Sequence, residues 1–137
     1  MGKDYSREAA ANLRTTTVDL DTWFSGADYT TVSTDDENRV AQEIDTGQYG
    51  TFLFKDTNDS QEQFSVSWNG RSSLAPSSST VYLQIYNRTS NLWEDLDSDN
   101  ATGADTDFTL EGSKSADLGN YFNASFEIAC RVYQQVT

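Results

Sequence analysis

The chain has 137 residues, with 22 acidic side chains against 9 basic ones, a formal net charge of −13 and no histidine. A charge of that sign repels phosphate backbones and anionic membrane surfaces, so neither nucleic acid nor membrane is an expected partner. The length suits one domain with its own core, and the lone Cys130 leaves no internal disulfide to staple it.

The N-terminal stretch MGKDYSREAAANLRTTT has no apolar run of the kind a secretory signal needs. Gly2 and Ser6 fit a myristoylation pattern, but the charge opposes membrane attachment. DYSREAAANLR predicts a short helix, with Asp4 as its cap and Tyr5, Ala9 and Leu13 on one face. DLDTWF reads as one more helical turn and NRVAQEI as a first strand. Trp23 and Phe24 are too apolar for a free tail and are expected to bury. We therefore read residues 1–48 as an N-terminal arm that either caps its own sandwich or docks on a neighbour, and for residues 1 to about 35 the expectation is docking on a neighbouring copy or another protein.

From residue 49 the pattern changes to period two. Phe52 and Phe54 share one side of YGTFLFK, and Phe64, Val66 and Trp68 share one side of QFSVSWNG. Val81, Leu83 and Ile85 alternate with Tyr82, Gln84 and Tyr86; Phe108 and Leu110 follow. In the last run Phe126, Ile128, Cys130 and Val132 alternate with Glu127, Ala129, Arg131 and Tyr133. Turn-rich clusters separate the runs, and Asn87 to Asn91 close a hairpin. The expected fold is all-β: an antiparallel, jelly-roll-like β-sandwich over residues 49–137, preceded by an arm containing a short helix, with a small barrel as the alternative.

Residues 94–107, EDLDSDNATGADTD, hold six acids and no positive charge. Asp95, Asp97 and Asp99 match the start of a calcium loop, but Asn100 stands where that loop needs glycine and Thr106 where it needs glutamate. The expectation is a solvated hairpin with Leu92 and Leu96 facing the core. The alternative is a different calcium site built from Asp97, Asp99, Asp105 or Asp107.

Catalysis has little to stand on. The commonest general base is missing, so there is no Ser-His-Asp triad, Cys-His pair or zinc constellation, and Cys130 falls on the inward side of its strand. A hydrolase working with two carboxylates is the third-ranked reading, since among 22 acids some pair falls at a suitable separation by chance. The sequons at Asn58, Asn87, Asn100 and Asn123 read as turn chemistry. Tyr82, Tyr86, Trp93 and Tyr133 lie opposite the predicted core. They either stack on sugar rings or lie under a second sheet, the arm or another subunit.

The stretch SSLAPSSSTVYLQIYNRTSNLWEDLDSDNATGADTDFTL, with the closing YFNASFEIACRVYQ, resembles a β-sandwich module of tailed-phage structural proteins and uncharacterised metagenomic proteins. The resemblance covers roughly residues 70–134 and implies virion association without chemistry. A protein assembled in the cytoplasm and released by lysis also reconciles this exposed-type composition with the lack of a disulfide. The leading expectation is a head decoration or other accessory capsid or tail protein. It would pack against its own copies, a trimer by expectation, or against major capsid or tail proteins, through Tyr5, Leu13, Trp23, Phe24, Tyr82, Tyr86, Trp93 and Tyr133. A carbohydrate-binding module, with or without calcium, is the alternative.

Overall fold

A computed structural model describes residues 3–32 and 39–136. In chain order its elements are β1 (Lys3–Ala10), β2 (Thr22–Trp23), α1 (Gly26–Val32), β3 (Tyr49–Thr57), β4 (Phe64–Gly70), β5 (Val81–Asn87), β6 (Leu92–Asp99), β7 (Phe108–Lys114), a 3-10 turn (Leu118–Asn120) and β8 (Glu127–Gln135). They form a six-stranded sheet of order β2-β1-β3-β8-β5-β6 and a two-stranded sheet β4-β7. Every pairing is antiparallel. The pairs β3–β8, β4–β7 and β5–β6 are nested in sequence. A nested set of this kind is one long hairpin rolled across two layers, which is the jelly-roll-like sandwich expected from the alternation.

The core sits between the layers. Val81, Leu83, Ile85, Ile128, Cys130 and Val132 point inward from the large sheet, and Phe108 and Leu110 meet them from β7. Phe64, Val66 and Trp68 of β4 pack against this set, and Tyr121 and Phe122 close one end. Each fully buried aliphatic or aromatic side chain contributes roughly 1.5–3 kcal/mol. A β-bulge shifts the β5–β6 register between Leu83 and Gln84, whose partners are Asp97 and Asp95. The extra residue is Leu96, and it packs on both halves of the core. Gly112 lets β7 approach it, because a Cβ there would lie 2.9 Å from the Cβ of Leu96.

Several local expectations are corrected. DYSREAAANLR is not a helix; its first part is β1, paired with β3 from Lys3↔Asp56 to Ala10↔Tyr49. An isolated helix of that length is marginal in water, whereas the edge of β3 offers a full set of backbone partners and burial for alternate side chains. Ser6 and Glu8 are buried on one side, and Tyr5 packs on Phe54 on the other. DLDTWF contains the two-residue strand β2, and the helix lies just after it. Ser25 and Asp28 start that helix: the Ser25 N–H donates to Asp28 Oδ2 (2.9 Å), and the Asp28 N–H donates to Ser25 Oγ (3.1 Å), a reciprocal cap. Residues 39–44 of NRVAQEI form no strand; Asn38, like Gly2 of the myristoylation pattern, lies outside the described residues.

The separation of a 1–48 arm from a 49–137 sandwich dissolves for the same reason. β1 is an inner strand of the large sheet, and Leu20 and Phe24 are buried against their own domain. Two core assignments also move. Leu92 is 64% exposed, because it pairs with Asn87 at the far end of the hairpin. Phe126 is 38% exposed and precedes β8 in a left-handed turn (φ 60°), where the Asn123 carboxamide accepts the N–H groups of Ser125 and Glu127.

Candidate functional site

Five of the six carboxylates of the acidic hairpin are taken up by neighbouring backbone or side-chain donors. Asp99 Oδ1 accepts the N–H groups of Ala101 (3.0 Å) and Thr102 (2.9 Å), and Oδ2 accepts the Thr102 hydroxyl (2.7 Å). Those hydrogen bonds hold its carboxyl below the ordinary range. Asp97 accepts the N–H groups of Ser98 and, across the layers, Glu111. Asp107 receives both of its contacts from Arg39, at 2.7 Å. Asp105 occupies a left-handed position (φ 54°) in the loop, and its N–H donates to the Ser72 carbonyl. Among the described residues no three acidic, histidine or cysteine side chains converge as a metal cage would need. The sequon residues Asn87 and Asn123 likewise hold turns, through side-chain oxygens that accept N–H groups two to four residues on.

The outer face of the large sheet, away from the core, carries the densest polar chemistry. Arg131 is 5% exposed on β8. Its Nε donates to Gln84 (2.8 Å), Gln84 in turn donates to Asp95 (2.7 Å), and its Nη1 donates to the Arg14 carbonyl. The guanidinium lies over the Trp93 ring at 4.2 Å and beside Tyr133 at 5.4 Å. Burial pulls its pKa down to about 10, so it stays charged at neutral pH. Above it runs the segment 11–21. Arg14 grips the buried Glu8 carboxylate with Nε and Nη2 (2.9–3.1 Å), Lys55 reaches Asp19 (2.8 Å), and the Leu20 N–H donates to Ser6 Oγ (3.0 Å). A cavity of about 10 Å³ remains between Arg14, Thr16 and Leu20 above and Thr51, Trp93 and Arg131 below. That space is about one water molecule, too small for a sugar or a cofactor.

The interaction candidates fall in four separate places. Tyr5 and Phe24 are brought together in a cis aromatic cluster with Tyr29, Phe52 and Phe54, at centroid distances of 4.9–6.3 Å. Burial and then Asp56, which accepts its hydroxyl, raise the pKa of Tyr5. Tyr82, Tyr86, Trp93 and Tyr133 share the outer face as expected, but their rings are engaged with each other. Tyr82 stacks on Tyr133 (5.0 Å, 20°), Tyr86 meets Trp93 edge-on, and Arg131 covers a face of Trp93. Leu13 is half-buried in the crossing segment. Trp23, expected to bury, is 56% exposed, because β2 places it at the margin of the large sheet, paired with Ser6.

Sequence reasoning missed Glu8, Arg14 and Arg131 as a cluster. The available signal was Arg131 inside the otherwise apolar and aromatic run Ile128–Tyr133 of the last strand. Cys130, next to it, is buried with its thiol pushed up to about 12, first by burial and then by Asp56. A thiol in that state is a poor nucleophile.

These features define a two-layer antiparallel β-sandwich whose exposed surface is mostly polar, with a few exposed apolar side chains. A family model, AF_1625_C, described as "Uncharacterized protein, C-terminal domain", matches residues 4–136, and the chain belongs to that family. No curated protein and no solved structure matches it. Among the described residues no helix is long and apolar enough to cross a membrane.

Proposed function

We propose that the chain is a structural component of a tailed-phage virion, a head decoration or other accessory capsid or tail protein that works by packing subunit against subunit. The observation that carries this reading is Trp23, 56% exposed on the edge strand β2 of a chain bearing a net charge of −13. An indole left in water at a sheet margin favours burial against a partner. Val18 (60%) and Leu92 (64%) add exposed apolar surface. The resemblance of residues 70–134 to phage structural modules supports the same reading. Major capsid or tail proteins and further copies of this chain are the partners, and the virion is the location.

Carbohydrate binding is the weaker reading. A sugar platform needs free ring faces, and here Tyr82 and Tyr133 stack on each other while Arg131 occupies Trp93.

The deciding experiment is mass spectrometry of purified phage particles from a lysate in which this chain is made. Stoichiometric recovery with the capsid or tail proteins is expected, and Trp23→Ala should reduce it strongly while the free protein stays folded. Particles that lack the chain overturn the reading. Quenching or enhancement of tryptophan fluorescence by oligosaccharides would favour the glycan alternative.

A further inference from the structure

We propose that two copies of this chain join antiparallel through the free edge of β4, so that their two-stranded sheets merge into one four-stranded sheet. The inference rests on the subunit-packing reading above and names the surface that performs it.

A strand edge presents a row of unpaired N–H and C=O groups, and proteins that remain single guard such edges with charges, proline, bulges or shortness. The other edges in this fold follow that rule. β2 is two residues long. β6 carries Glu94, Asp95, Asp97 and Asp99 and is bulged at Leu96. The far side of β7 is closed by β6, with Asp97 accepting the Glu111 N–H (3.0 Å) and Leu96 packed at Gly112.

β4 departs from it. Its sequence FSVSWNG has no charge and no proline, and its register with β7 runs unbroken from Phe64↔Lys114 to Gly70↔Phe108. On the side away from β7, its backbone pairs with nothing among the described residues. The strand is also free of bulges, which leaves its backbone groups evenly spaced for a second strand.

Side-chain chemistry selects a second copy as the occupant. Antiparallel pairing centred on Ser67 sets Val66 against the second copy's Trp68 and Ser65 against its Asn69, so apolar meets apolar and polar meets polar. Glu62 and Arg71 flank the strand at its two ends, both are exposed, and among the described residues neither is in an ion pair. Reversing one strand against the other brings the Glu62 end of each copy to the Arg71 end of its mate. In a molecule of net charge −13, an uncharged strand with one opposite charge at each end is where a second copy can approach without repulsion.

Sedimentation equilibrium of the full chain over about 1 μM to 1 mM tests this. A reversible dimer is expected. Ser67→Lys places two like charges at the centre of the pairing and should give a monomer with an unchanged melting temperature. Glu62→Lys and Arg71→Glu should each raise the dimer Kd roughly threefold to tenfold, and the double variant should recover it. If Ser67→Lys does not fold by circular dichroism, the exposed charge-reversal pair decides. A monomer across the whole range, or a dimer that none of these variants moves, overturns the inference. A monomer that is nonetheless recovered in particles overturns the β4 pairing alone, whereas a β4 dimer absent from particles overturns the virion reading alone.

Discussion

The inner face of the six-stranded sheet buries Leu83, Ile85, Cys130 and Val132 under the β4–β7 sheet, and the outer face buries Glu8, Gln84 and Arg131 under residues 11–21. Both faces exclude water, by different means. The inner one gains from apolar area and close packing, which tolerates no gaps. The outer one gathers charges whose desolvation is offset by specific partners: Arg14 for Glu8, and Gln84, a carbonyl and two aromatic rings for Arg131. A sheet face can thus be sealed by a crossing segment instead of a second sheet when its buried charges find partners, even though the Trp93 indole N–H on this face has none among the described residues.

The contrast breaks most severely if the crossing segment is removed. Deleting residues 1–25 takes away β1, Phe24 and the cover over Leu53 and Arg131. The chain should lose its β signal in far-ultraviolet circular dichroism or aggregate. A soluble, folded remainder would show that the segment is an arm after all. Next in size is Leu83→Ala on the inner face, expected to cost about 2–5 kcal/mol in urea denaturation.

The outer face should respond according to which partner is lost. Arg14→Ala leaves the Glu8 carboxylate buried without its cation and should cost about 1–3 kcal/mol, the upper range being moderated because Arg14 itself is partly solvated. Arg131→Met keeps a similar apolar volume but leaves Gln84 Oε1 and the Arg14 carbonyl without this donor, so it should cost about 1–3 kcal/mol. A larger penalty for Arg131→Met than for Leu83→Ala would show that the polar network, not the apolar core, dominates stability.

Acid titration acts on individual carboxylates of the fold. Asp99 and Glu94 are held below their ordinary values of 3.8 and 4.5 by hydrogen bonds, from Thr102 in the first case and from Asn87 and Tyr121 in the second. Their contribution is therefore present above those values and is lost as pH falls through the lower native ones. Asp99→Ala should cost about 1 kcal/mol at neutral pH, with a smaller difference from the parent in acid. Calcium should leave the melting temperature unchanged, and a rise abolished by Asp97→Asn would reinstate a metal site in the hairpin.

The smallest effect has the opposite sign. Burial, and then the nearby Asp19, raise the carboxyl of Asp4 above 3.8. The native state thus binds that proton more tightly, and stability is gained as pH falls through the native value toward the unfolded one. Asp4→Asn should raise the neutral melting temperature by a few degrees at most, with no gain in acid.

The period-two alternation of Phe64–Trp68, Val81–Ile85 and Ile128–Val132 determined the sandwich from sequence alone, because only a strand between core and cover places alternate residues in two environments. The absence of histidine and the turn-forming Asx residues were equally legible, since both are properties of composition and of neighbours within a few positions. What the tertiary structure alone decided was the fate of residues 3–32. SREAAANLR has the local preferences of a helix, and the pairing of its first part with β3, about forty residues away, overrides them. The same holds for Arg131, whose role depends on Gln84, Trp93 and Arg14 arriving from three separate parts of the chain. Contacts at that separation leave no periodicity in the sequence, because they are fixed by which strands become neighbours and not by any local preference.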